Sequence, residues 1–239
     1  MGQLIRFATT MTFAFAVLHG CLSHGPAEPS PAIKAAIASA DRPKDDVARD
    51  AQRHPDAILA FYGVEPGMHV VDFIAGGGYY TELFSRLVGA NGKVYTTYLA
   101  PARIEGGRLG NVTAMGDGPW TAIAPGTIDI VFTSQNYHDI VGRNIPREPI
   151  LVQIKSVLKP GGIFAVSDHS AADGSGTRDA NTLHRIDEAV VKSEIVAAGF
   201  ELVAESDVLR RSDDPRTARV TDPVIRGNTD QFVLKFRKP

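Results

Sequence analysis

The chain has 239 residues, 44% hydrophobic and 22% charged, a globular balance that encloses one sizeable core and excludes disordered, collagenous and coiled-coil chains. Twenty-five lysines and arginines against 27 aspartates and glutamates leave a net charge of −2, so the basic footprint of a nucleic-acid binder is missing and no such partner is expected. The single cysteine rules out an internal disulfide and any zinc site that needs two cysteines.

Taken in chain order, residues 1–20 carry Arg6 as their only charge, followed by the apolar run Phe7 to Leu18, which has signal-peptide length and is short for a membrane span. The run ends in Leu18-His19-Gly20-Cys21, similar to a bacterial lipobox. These residues predict export to the periplasm as a lipoprotein, with Cys21 as a lipid anchor and the only membrane contact. Residues 21–32, rich in Pro and Ser, read as a linker. Residues 33–63 read as an N-terminal helical cap over one end of the following domain, with Pro55 restarting the helix after His54 and Gly63 stopping it.

Residues 64–239 alternate apolar runs with helical ones. His69 to Phe73 predicts a buried strand, Gly76-Gly77-Gly78 a tight turn, and Tyr79 to Val88 an amphipathic helix. Strands follow at Lys93 to Tyr98, Asn111 to Met115, Ile128 to Ser134, Ile163 to Asp168, Phe200 to Asp207 and Asp230 to Arg237. Helices lie at Pro146 to Leu158 and Asp187 to Ala198. The order predicts an α/β fold: a Rossmann-like, open, mostly parallel seven-stranded sheet with helices on both faces and its ligand crevice at the strands' carboxyl ends. The charged stretch Leu209 to Arg226, of mixed sign, reads as a solvated loop, and leaves open a substrate-carboxylate role for one of its arginines.

The glycine turn discriminates between cofactors. A GxGxxG fingerprint starting at Gly76 needs glycine at position 81, where Thr81 stands, and no GxxxxGK[ST] segment exists. What remains, Val71-Asp72-Phe73-Ile74-Ala75-Gly76-Gly77-Gly78, resembles motif I of the class I S-adenosylmethionine-dependent methyltransferases. Gly116-Asp117, the strand Ile128 to Ser134, the turn Leu158-Lys159-Pro160-Gly161-Gly162 and the closing hairpin-like strand pair fit the same plan in order. Gln135 to Asp139, Ser167-Asp168-His169, Thr182 to Asp187 and Thr229 to Phe232 are similar to a subgroup of bacterial methyltransferases that often carry export signals.

The resemblance implies an S-adenosylmethionine-dependent methyltransferase acting on a small molecule. It places the cofactor against Asp72, Gly76, Gly77, Gly78, Tyr79, Tyr98, Asp117 and Asn136, with Asp117 on the adenine amino group. Two positions depart from the family pattern: Ile74 replaces the first glycine, and Tyr98 replaces the acid that binds both ribose hydroxyls, so that a phenol offers one hydrogen bond where a carboxylate accepts two. The departures leave open a non-catalytic envelope lipoprotein that binds a ligand or a protein.

His138 and Asp139 follow the fourth strand, and Asp168 and His169 end the fifth, so these four are the expected catalytic residues, an imidazole removing a proton and a carboxylate orienting it. With His184 they also permit a divalent metal and a metal-assisted enzyme. No HExxH or similar compact motif supports that reading, and no metal ligand is assigned.

Overall fold

The computed structural model of the chain describes residues 28–116 and 118–239. The expected signal sequence, Cys21, most of the linker and Asp117 lie outside the described residues.

Four helices open the described chain: α1 (Pro31–Ile37), α2 (Lys44–Val47), α3 (Asp50–Arg53) and α4 (Pro55–Tyr62). The helical stretch breaks at His54, which adopts φ 43°, and α4 restarts at Pro55, whose missing N–H costs nothing in a first turn. Gly63 ends α4 in the left-handed region, φ 75°, its N–H donating back to Leu59 O. The repeating units follow as β1 (His69–Asp72), α5 (Tyr79–Val88), β2 (Lys93–Thr96), β3 (Val112–Ala114), β4 (Ile128–Ser134), α6 (Tyr137–Gly142), α7 (Arg147–Val157), β5 (Leu158–His169), α8 (Glu188–Ala197), β6 (Glu201–Ser206) and β7 (Gln231–Arg237).

The seven strands form one sheet in the order β3-β2-β1-β4-β5-β7-β6. The first five are parallel, and β7 runs antiparallel between β5 and β6. The connection from β6 to β7 carries no helix, so no crossover returns the chain to the starting edge and the last strand runs back along its neighbour. The expected turn at Lys159 to Gly162 falls inside β5, at the register shift between Ile128 and Ile130 of its partner.

Side chains alternate across the sheet into two cores. Val71, Val131, Phe164 and Leu234 face α6, α7 and α8, while Val70, Ile130, Phe132 and Val233 face α1, α4 and α5. Phe132 is the hub of the second core, with the rings of Tyr80, Phe84 and Tyr62 at 4.5, 5.1 and 5.7 Å. Tyr62 also donates its hydroxyl to Val166 O at 3.0 Å, so α4 lies on the sheet's face, while α2 and α3 reach its carboxyl end.

The charged stretch 209–226 is a loop, mostly exposed or half-buried, and it is anchored to the protein at two points. Leu209 and Asp214 are buried, and Asp214 forms a two-pronged pair with the fully buried Arg185, at 2.8 and 3.1 Å. Charges of mixed sign here neutralise one another inside the protein, where an unpaired one would be costly.

Candidate active site

The carboxyl ends of β1, β2, β4 and β5 meet at one crevice, and three of the chains leaving them carry a non-glycine residue in the left-handed region: Ile74 (φ 61°), Tyr98 (φ 53°) and Gln135 (φ 62°). Such conformations cost on the order of 1–3 kcal/mol and persist where surrounding contacts fix them. Ile74 donates its N–H to Thr97 Oγ1 at 2.9 Å, and its carbonyl accepts from Asn136 Nδ2 at 3.0 Å. The backbone bend that a glycine would make is thus kept by a β-branched residue, held from β2 and from the end of β4.

Beyond it, a Cβ on Gly76 or Gly77 would meet no atom within 4 Å, whereas one on Gly78 would lie 2.7 Å from Arg103 and from Leu99. Gly78 is the N-cap of α5 at φ 77°. It therefore packs the turn against its neighbours, and it lines none of the three cavities around the turn. Arg103 also donates from Nε to Gly77 O at 2.8 Å and pairs with Asp46 at 2.6 Å, tying the turn to α2.

Asp72 is buried and accepts from the Thr81 hydroxyl, yet burial pushes its pKa up to about 6 against the opposing pull of Thr81 and Arg53. An acid raised in this way contributes stability below its unfolded value of 3.8, and the contribution is lost as pH rises through about 6. Asp72→Asn, which keeps an acceptor for Thr81, is expected to melt about 5 °C above the wild type at pH 8 and level with it at pH 4. An equal offset at both pH values contradicts the assignment.

Three cavities surround the turn. The first, about 170 Å³, is lined by Asp72, Gly76, Gly77, Tyr79, Asn136 and Arg53. Tyr79 donates its hydroxyl to Asp50 Oδ1 at 2.6 Å, and its ring lies under the guanidinium groups of Arg53 and Arg49 at 4.8 and 5.0 Å. On the other side of Ile74 a second cavity, about 370 Å³ and mainly apolar, is walled by Phe73, Trp120, Ile140 and Ile150, with Tyr98 and Asp139 at its edge. The third, about 450 Å³, shares Arg49, Arg53 and Gln135 with the first and includes His169. Five of the expected cofactor residues thus line the first cavity, and Tyr98 lines the second.

The four expected catalytic residues separate by role. Asp168 is fully buried; its Oδ1 accepts from His138 Nδ1 and His169 N, both at 2.7 Å, and its Oδ2 from His138 N at 2.8 Å. With its oxygens so occupied it lines none of the three cavities and serves as a positioning residue, its carboxylate orienting the His138 imidazole. Burial opposes charge on His138, but the Asp168 carboxylate outweighs it and raises the imidazole pKa. His138 is likewise buried and lines none of the three cavities. His169, by contrast, opens on the third cavity; burial lowers its pKa to about 4, and Nδ1 lies 2.8 Å from Thr229 Oγ1.

His138, Asp139 and His184 offer ligand atoms within 4.8 Å of one another. Arg219 lies 2.7 Å from His184 Nε2, and a guanidinium only donates, so that nitrogen accepts and the proton sits on Nδ1, facing Asp139 at 3.5 Å. Asp139 Oδ1 thus lies between the two imidazoles, 3.5 Å from His184 Nδ1 and 3.8 Å from His138 Nε2.

Sequence reasoning missed Arg49 and Arg53 and gave no role to Gln135. The first two stand four residues apart on consecutive helical turns, a spacing that places them on one side. No sequence signal marks the left-handed backbone of Gln135.

No family model matches the chain. Over 169 residues it is 27% identical to the ubiquinone/menaquinone biosynthesis C-methyltransferase UbiE of Teredinibacter turnerae, covering 66% of this chain and 66% of that one. Over 118 residues it is 29% identical to the enzyme of the same name from Cupriavidus taiwanensis, covering 47% of each. The chain thus spans just under two thirds of one of these curated relatives and under half of the other. In three dimensions it superposes on a SAM dependent methyltransferase from Aquifex aeolicus with a TM-score of 0.61 at 19% identity, covering 82% of this chain and 95% of that one. This is the fold of the class I S-adenosylmethionine-dependent methyltransferases. Within that methyltransferase fold the glycine turn, the apolar cavity beside it and the end of β4 occupy the crevice at the sheet's carboxyl edge, where open α/β sheets hold their ligands.

Proposed function

We propose that this protein transfers a methyl group from S-adenosylmethionine to a small-molecule acceptor. The observation that carries the reading is the turn after β1, where Gly76 and Gly77 leave open the space a Cβ would take, between one polar and one apolar cavity. Asp72 and Asn136 on the polar side suit the amino-acid end of the cofactor. Trp120, Ile140 and Ile150 suit the adenine ring, and Tyr98 offers one hydroxyl to the ribose. The likeness to C-methyltransferases supports the same reaction class.

When bound, S-adenosylmethionine supplies a sulfonium methyl that a nucleophile takes in line, releasing S-adenosylhomocysteine. The protein aligns the reactants and removes a proton where the acceptor carries one. His169 is the group we assign to that removal: it opens on the third cavity, burial lowers its pKa and keeps it neutral at pH 7, and the tautomer with its proton on Nδ1, toward Thr229 Oγ1, leaves Nε2 to accept. Asp168, with its oxygens on the His138 ring and on two backbone N–H groups, fixes the β5 end that presents His169.

Purified protein incubated with methyl-labelled S-adenosylmethionine and a bacterial small-molecule extract is expected to label an extract component, with one S-adenosylhomocysteine formed per methyl transferred. His169→Gln is expected to lower that rate about a hundredfold at unchanged S-adenosylhomocysteine affinity. Parallel loss of rate and affinity would make His169 structural, and absence of transfer by the wild type would overturn the proposal.

A further inference from the structure

The third cavity differs chemically from the other two. Arg49, Arg53 and Arg226 line it together with His169 and amide side chains, no carboxylate does, and Val220 is its only aliphatic side chain. Of the three arginines, Arg49 pairs with Asp46 at 2.8 Å, while neither Arg53 nor Arg226 has a carboxylate within 4.0 Å among the described residues. Arg53 is instead held by the Tyr79 ring and by Gln135 Oε1, at 3.1 Å. Gln135 in turn donates to Gln231 Oε1 at 3.1 Å from a strained backbone, φ 62°. A guanidinium kept in place by an aromatic face and an amide, with donors left over, is pre-organised for an oxyanion.

We propose that the third cavity is the acceptor site and that the acceptor is a small molecule carrying a carboxylate or phosphate, read by Arg53 and Arg226. This rests on the methyltransferase reading, since the cavity opens beside the one assigned to the methyl donor and shares Arg49, Arg53 and Gln135 with it. Its volume of about 450 Å³ holds a compact ligand, and its polar lining is unsuited to the long apolar tail of a lipid-soluble quinone. Anionic recognition places the acceptor against His169, on the same wall.

Benzoate and phenyl phosphate, with benzamide as the neutral isostere of the first, are the probes. Titrated calorimetrically into the full chain saturated with S-adenosylhomocysteine, one of the two anions is expected to bind at least about tenfold more tightly than benzamide, and which one does so distinguishes carboxylate from phosphate recognition. Arg226→Gln, a residue remote from the donor cavity, is expected to remove that preference at unchanged S-adenosylhomocysteine affinity and melting temperature. Equal binding of all three probes, or a preference that survives in both Arg226→Gln and Arg53→Gln, overturns the inference and leaves the proposed reaction standing. Failure of S-adenosylhomocysteine itself to bind counts against the reaction, whereas the anion preference of the unsaturated chain is measured independently of it.

Discussion

Gly77→Val is expected to abolish S-adenosylmethionine binding while leaving thermal unfolding within about 1 °C of the wild type. Among the three glycines of the turn, Gly76 and Gly78 have positive φ and Gly77 does not, so a side chain at position 77 adds no left-handed strain. Its Cβ would meet nothing within 4 Å, and the carbonyl that accepts from Arg103 is untouched. The two methyls of valine then occupy the space beside the first cavity, and affinity falls at least about a hundredfold, or about 2.7 kcal/mol. Gly78→Val is the contrasting case: its Cβ clashes with Leu99 and Arg103 at φ 77°, so stability falls together with binding. Calorimetry beside thermal melting separates the two. Retained affinity in folded Gly77→Val would remove the cofactor from this turn.

The second large effect is on stability and lies in the segment whose charges resemble those of a surface loop. Asp214→Ala leaves the Arg185 guanidinium buried without its carboxylate and takes away the acceptor of the Asp230 and Arg216 backbone N–H groups. Removing one partner of a buried pair costs on the order of 3–5 kcal/mol, which for a domain of this size lowers the melting temperature by about 10 °C. Amide exchange is expected to accelerate first between residues 209 and 226, because Asp214 ties this segment to Arg185 and to the start of β7. Val220 and Arg226 of the same segment wall the third cavity, so anion binding weakens with it. A melting temperature within 2 °C of the wild type would show that the pair is dispensable.

The elements read most closely from sequence are those with the strongest periodicity. The helix Tyr79 to Val88 and the strand Ile128 to Ser134 match their expected bounds, since apolar spacing alone sets them. The six-residue helix α6 escaped notice because it is too short to show a period, and its first turn consists of the residues singled out for chemistry. Strand order placed Asp168 and His138 at one edge, but their direct bond spans 30 residues and has no trace in spacing. The buried anchor of the charged stretch has no sequence signal for the same reason: its partner Arg185 lies 29 residues before Asp214, and mixed sign looks alike in a solvated loop and a buried pair. Ile74 and Tyr98 stood out as departures from a glycine and an acid. The structure shows that at least the first departure changes the side chain and keeps the backbone, because Thr97 and Asn136 hold Ile74 where glycine would stand unaided.

The most direct test of the central claim is calorimetric titration of the purified chain with S-adenosylmethionine and with S-adenosylhomocysteine. A single site of about micromolar affinity for both, lost in Gly77→Val, is the result the site geometry predicts. No heat from either at millimolar concentration, with the protein folded, would contradict it.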